Sequence, residues 1–392
     1  MNRPHRPGRH FLQIPGPTNV PDRVLRAIGQ PTIDHRGPEF AALTLDLLPA
    51  VGRMFGTADP VIIYPSSGTG AWEAALVNFL SAGDRVLAFD HGHFAGLWHE
   101  LAGRLGLVSE LVAGDWRRGV DPAVVHDRLS TDRRHEIRAV MVVHNETSTG
   151  VASRIAEIRA AIDAAGHPAL LLVDVISALG SIDYRHDEWG VDVTVGGSQK
   201  GLMLPPGLGF NAVSAKALDA AARGGGPRSY FDWEPIIAAN RSGSYPYTPA
   251  TNLLFGLRES IAMLEAETLP AVFERHRRHG EATRAAVRAW GLDVLCRDER
   301  EHSPALTAVV MPEGGDADAV RRVILERFDM SLGAGLGRLT GRIFRIGHLG
   351  DLNDLMLAGT LCGVEMGLTL TGTPIAPGGV LAALDRLGTQ TP

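Results

Sequence analysis

The chain has 392 residues, 45% of them hydrophobic and 21% charged, and a formal net charge of −6. That is enough apolar material for two packed domains, and the modest, interspersed charge excludes an electrostatic footprint for nucleic acid or an anionic membrane. Two cysteines, Cys296 and Cys362, cannot build a disulfide framework and show no metal-ligand spacing, which fits a reducing, cytoplasmic setting.

The N-terminal arm, residues 1–20, opens with MNRPHRPGRHFLQIPGP, which is basic and proline-rich but has no apolar signal-peptide core. No later stretch is an uninterrupted apolar run of about 18 residues, so no membrane span is expected. Short β-rich runs then recur at Val61–Ile63, Val86–Phe89, Ala139–Val143, Ala169–Val173, Val191–Val195 and Gly207–Val213, with helix-like segments between most of them. Runs this continuously apolar have no wet face, so they predict a mostly parallel sheet covered by helices on both sides. Ligands of such sheets lie outside the carboxyl ends of the strands, which directs attention to the polar residues just after each run.

From about Leu253 the pattern changes. Two long amphipathic stretches, Leu253–Glu267 and Ala271–Trp290, precede weaker strand candidates at Ala305–Met311 and Arg342–Ile346. The expected division is a large domain over 21–265 and a smaller C-terminal α/β domain over 266–392.

Of the 38 basic residues only Lys200 and Lys216 are lysines. Arginine fills any solvated cationic role, but its guanidinium does not deprotonate and cannot attack an aldehyde as an amine. A retained lysine therefore needs a reason. A lysine in a glycine loop is ordinarily a solvated side chain. Lys200, however, sits in GGSQKGLMLPPG directly after the run VDVTV, where a strand leaves the sheet and small neighbours let a flat ring approach. Asp174 ends the run ALLLVD about one βα unit earlier. An aspartate there either caps the next helix or faces the same crevice as Lys200, where it could hold a pyridinium nitrogen protonated. The segment IIYPSSGTGAWEAALVNFL runs from strand through a Ser/Gly turn into a helix. Its free amides at Gly68, Thr69 and Gly70, with the hydroxyls of Ser67 and Thr69, suit a phosphate as well as an ordinary capped turn. It is no dinucleotide fingerprint, since Glu73 stands at the third glycine position, and no Gly-Lys pair follows to make a Walker loop.

Taken together, SSGTGAWE, HNETSTGV, DVISALG, GSQKGLMLPPG, YPYTPA and FRIGHLG resemble the class V aminotransferases, especially the serine–glyoxylate and alanine–glyoxylate group. The resemblance covers nearly the whole chain from PGPTNVP at Pro15. It implies an aspartate-aminotransferase-like α/β fold, the type I fold of pyridoxal-phosphate enzymes, working as a homodimer with shared active sites. It further implies that pyridoxal phosphate is held by Lys200 as a Schiff base, with Asp174 as pyridinium partner. Ser67, Gly68, Thr69 and Gln199 would contact the phosphate, Phe94 would stack on the ring, and Thr147 would lie beside its 3-oxygen. Many relatives carry Trp at the Phe94 position, so stacking here has a smaller face. Tyr245 and Thr248 match the pair that reaches the neighbouring subunit's phosphate, and Arg345 matches the arginine that grips the substrate carboxylate through its two-donor fork.

Among the histidines, His91 and His93 lie two apart beside Phe94 with no third ligand at metal spacing, so no metal is expected. His35 and His348 are the candidates for contacting substrate. The expected reaction is ping-pong transamination from a small amino acid (serine first, then alanine or aspartate) to glyoxylate or a similar small 2-oxo acid. The rivals are a cysteine desulfurase of the same fold and, from another class, a nucleotide-binding dehydrogenase or non-catalytic binding module.

Overall fold

The computed structural model describes residues 7–389 of the chain; residues 1–6 of the basic arm and residues 390–392 lie outside the described residues. The larger sheet has seven strands in the spatial order Val61–Pro65, Leu208–Val213, Val193–Gly197, Leu170–Asp174, Ile137–Val143, Arg85–Asp90, Val108–Ala113. Only Leu208–Val213 runs against its neighbours. Strand alternation sorts Leu171 and Val173 into one core, with Phe55 and Phe210. It sorts Leu170 and Leu172 into the other, with Trp72 and Trp98. Both faces are therefore dry, as the unbroken apolar runs require. The edge strand Val108–Ala113 is half exposed and has no such run, and sequence patterning missed it.

The smaller sheet has five strands in the order Phe11–Gln13, Met330–Ala334, Ile343–Gly347, Leu306–Val310, Asp293–Val294, and packs around Trp290, Ile324, Phe344 and Leu361. Helix Thr251–Glu267 packs on the large unit's helices Asp22–Ile28 and Pro38–Phe55, whereas the next helix, Leu269–Ala289, packs on Gly379–Thr389. Between the two helices the chain turns at Thr268, where φ is +73°.

One element differs from its expected role. Phe11–Gln13, read as part of a separate arm, is an edge strand of the small sheet, in register with Met330–Leu332. Its exit, Pro15–Pro17, thereby crosses back over the carboxyl ends of the large sheet. No described helix is long and apolar enough to cross a membrane.

Candidate active site

The carboxyl ends of five parallel strands and the crossing segment enclose a cavity of about 210 Å³. Its walls include Gly16, Pro17, Ser67, Gly68, Thr69, Trp72, Phe94, Asn145, Thr147, Asp174, Ser177, Gln199 and Lys200. The sequence candidates Ser67, Gly68, Thr69, Phe94, Thr147, Asp174, Gln199 and Lys200 are thus brought to one place, each at or just beyond the carboxyl end of a strand.

Lys200 is 8% exposed, and its Nζ donates to the carbonyl of Pro15. Burial, reinforced by the Arg345 guanidinium, lowers its amine to about 8, against the opposing pull of Asp174 and Glu146. A neutral amine near physiological pH is what a nucleophilic lysine needs. The loop is held from both sides: Thr18 Oγ1 donates to the Lys200 carbonyl at 3.0 Å, and Thr18 N donates to that of Gln199 at 3.1 Å. Gly16, at φ +94°, is obligatory on two counts. Only glycine adopts that backbone freely, and a Cβ there would lie 2.1 Å from Lys200 Cδ.

Asp174 is buried at the end of its strand. Its Oδ1 accepts from Ile176 N and its Oδ2 from Trp72 Nε1, both at 2.7 Å. Burial nevertheless pushes its carboxyl up to about 7, with the two hydrogen bonds pulling the other way. A further partner bearing a proton would hold the carboxylate ionised. Trp72, stacked on Trp98 at 5.7 Å between centroids, was not singled out in the sequence because a tryptophan in an apolar helix reads as core.

Helix Gly68–Val77 begins at the cavity with Ser67 as its N-cap, and the Ser67 hydroxyl makes no capping bond. Its first amides therefore point at the cavity as an anion site. Asn145 donates to the Ser177 carbonyl at 2.9 Å while its Oδ1 has no partner, and Gln199 Oε1 is likewise buried without one. Thr147 Oγ1 and Ser177 Oγ are hydrogen-bonded to each other. An uncapped helix start, a lysine whose amine burial lowers and a carboxylate wanting a proton donor fit a phosphorylated pyridine aldehyde.

Arg345 stands one carbonyl behind this wall: its Nη1 donates to Thr147 O and its Nε to Ala334 O, each at 2.7 Å. It is buried and feels the fields of Glu146 and Arg321. His348 does not reach the cavity. Three residues beyond Arg345 along an extended segment, it faces the opposite way and is fully buried. Its Nε2 meets Thr307 Oγ1 at 3.0 Å, and its Cε1 would lie 3.0 Å from a Cβ on Gly280. His35, in the turn before helix Pro38–Phe55, is also absent from the cavity wall. Both substrate-contact expectations for this chain's own cavity are corrected on that geometry. Tyr245 packs on Phe40 with its hydroxyl unpartnered, and Thr248 is exposed; neither touches this chain's own cavity.

The ring nitrogens of His91 face the carbonyls of Phe89 and Val143 at 2.9 and 3.0 Å, so it forms no metal pair with His93. Among the described residues one group has metal-like spacing, Asp59, His186 and Asp187, at the opposite end of strand Val61–Pro65. Both Asp187 oxygens there are already engaged, by Thr57 Oγ1 and Ala58 N. Cys296 is buried, and its thiol is pushed up to about 12, chiefly by burial. A thiol held protonated is a poor sulfur acceptor, which weighs against the desulfurase rival.

A buried lysine, an aspartate at the end of a parallel strand and an anion-binding helix start, gathered at the carboxyl ends of a mostly parallel sheet, define a type I pyridoxal-phosphate enzyme. The chain belongs to the class-V aminotransferases, whose family model matches residues 10–337. It is 48% identical to a serine–glyoxylate aminotransferase of Methylorubrum extorquens, over 100% of this chain and 99% of that protein. It is 44% identical to an L-aspartate–glyoxylate aminotransferase of Paracoccus denitrificans, over 96% of each. The structure superposes on pyridoxamine–pyruvate aminotransferase of Mesorhizobium loti with a TM-score of 0.92 at 27% identity, covering 100% of both chains. The chain is an aminotransferase, which removes the dehydrogenase and binding-module readings.

Proposed function

We propose that the enzyme uses pyridoxal phosphate to transfer the amino group of a small L-amino acid to glyoxylate or a similar 2-oxo acid, giving glycine and the matching oxo acid. Serine is the first donor, with alanine and aspartate behind it. The observation that carries this reading is Lys200: a buried amine lowered to about 8, in the same cavity as Asp174.

Bound pyridoxal phosphate supplies an aldehyde for an amine and a protonated ring that accepts electrons. Lys200 would hold the cofactor through Nζ, and the same atom, as a neutral amine, would carry the substrate α-proton. Asp174, itself held by Trp72 and Ile176, would keep the ring nitrogen protonated. Ser67, Gly68, Thr69 and Gln199 would bind the phosphate, Phe94 would cover the ring, and Thr147 would contact the 3-oxygen. Arg345 orients the substrate α-carboxylate. A cavity of about 210 Å³ favours small partners on both half-reactions. The family resemblance and the exposure of Thr248 support a homodimer in which Tyr245 and Thr248 serve the neighbouring copy's phosphate.

The test is to load the purified protein with pyridoxal phosphate, record its visible band, and add serine, alanine or aspartate separately before glyoxylate. Serine and glyoxylate should give glycine. Failure to form the band, or a Lys200→Ala variant that keeps both band and turnover, overturns the reading.

A further inference from the structure

Glu146 is wholly buried at the exit of strand Ile137–Val143, between Asn145 and Thr147, which both line the cavity. Its Oε1 accepts from Ser148 N at 2.9 Å and Ser148 Oγ at 2.6 Å, and its Oε2 accepts from Ala95 N at 3.1 Å. His93 N in turn donates to Ser148 Oγ at 2.9 Å. Helix His93–Arg104 has Gly92 as its N-cap, with no side chain to satisfy its first amides. A loop from the neighbouring strand therefore performs the capping, with a carboxylate at the positive end of the helix dipole. The fit is close, since a Cβ on Gly92 would stand 2.1 Å from Glu146 Cγ. The helix so pinned carries Phe94 into the cavity.

The position also has an electrostatic consequence. Lys200, Arg345 and Asp174 each feel the Glu146 charge. A buried carboxylate persists only where donors or cations compensate it, and here two amides and a hydroxyl donate to it while Lys200 and Arg345 lie within its field.

We propose that Glu146 is a positioning residue of this active site, which pins the helix presenting Phe94 and supplies the buried negative charge balancing the Lys200 amine and the Arg345 guanidinium. The inference rests on the Lys200 reading above, yet its deciding readout needs no cofactor. Because Lys200 and Lys216 are the only lysines, a brief acetic anhydride pulse on the full-length, cofactor-free protein gives their acetylation ratio by peptide mass spectrometry. Only the neutral amine reacts. Glu146→Gln removes charge that favours the ammonium, so Lys200 should acetylate about three- to tenfold faster relative to Lys216 at pH 7. Ser148→Ala keeps the charge and loosens the cap; it should leave that ratio within about twofold while weakening pyridoxal phosphate binding, read by tryptophan quenching. If Glu146→Gln does not fold, Gly92→Ala displaces the same carboxylate and should raise the ratio in the same direction. An unchanged ratio on perturbing Glu146, or an equal rise in Ser148→Ala, overturns the proposal. If wild type fails to bind pyridoxal phosphate, the functional reading falls instead, and the labelling result still decides the role of Glu146.

Discussion

The two lysines stand near opposite ends of the large sheet, and their surroundings differ in kind. Lys216, after the antiparallel strand, is half exposed; its Nζ lies 3.5 Å from Asp192 Oδ2 and 3.4 Å from the Ala169 carbonyl. The same end of the sheet holds a cavity of about 350 Å³, larger than the candidate site, and its charges are largely paired: Arg85 to Glu136 at 3.0 Å, and Arg128 to Glu110, with Arg128 Nε left without a partner. At the carboxyl end the cavity is smaller, and the groups around it are left wanting. Lys200 has a carbonyl where an anion would suit it, Asp174 is driven toward protonation, and Asn145 and Gln199 each bury an amide oxygen without a partner. Size does not mark the working site. The convergence of a buried amine, a carboxyl driven toward protonation and unpartnered polar atoms in one cavity does, because burying such groups costs stability that a ligand can restore.

The sharpest way to break this contrast is Lys200→Ala. It should abolish the visible band and lower transamination roughly a thousandfold or more, measured as glycine formed from serine and glyoxylate. Asp174→Asn is next, with an expected loss of about a hundredfold or more in turnover, because an amide cannot hold the ring nitrogen protonated. Its stability should move the other way. Asp174 binds its proton more tightly when folded, at about 7 against an ordinary 3.8, so the cofactor-free protein loses stability as pH rises through that window. At pH 8, beyond the window, Asn should stabilise the cofactor-free protein by about 1–2 kcal/mol in chemical denaturation, and the gain should vanish near pH 4. A variant that is less active and no more stable would show that the carboxyl end is not strained by its own charge. Trp72→Phe is a milder cut. It removes one donor from Asp174 at little cost in volume, and should weaken pyridoxal phosphate binding about five- to tenfold in a fluorescence titration.

Much of the cavity was legible before any coordinates, for reasons that differ by residue. Lys200 announced itself by rarity, and Asp174 by standing at the end of an apolar run. Ser67, Gly68 and Thr69 showed as a strand-to-helix turn with free amides. Phe94, Thr147 and Gln199 were reachable only through resemblance, since no periodicity separates a ring-facing phenylalanine from a core one. Trp72 and Glu146 escaped because their roles are hydrogen bonds across the sheet, to Asp174 and to Ala95, and strand order is not written in local pattern. Gly16 escaped for a related cause: it reaches Lys200 only because Phe11–Gln13 pairs with a strand more than 300 positions later. His348 was misassigned by proximity to Arg345, although residues three apart on an extended chain face opposite ways.

The weakest perturbation is the most discriminating test of the contrast itself. Lys216→Gln removes a cation from a pair whose lysine is half exposed, where solvent screening keeps the interaction small. Asp192, the buried member, keeps hydrogen bonds from Leu171 N at 2.8 Å and Ser214 Oγ at 3.4 Å, and Arg159 stays 3.7 Å away. The expected cost is below about 1 kcal/mol, with the visible band, pyridoxal phosphate affinity and glycine formation unchanged. Were Lys216→Gln to cost the cofactor instead, the amino end of the sheet would be coupled to the site, and matched charge could no longer be read as structural.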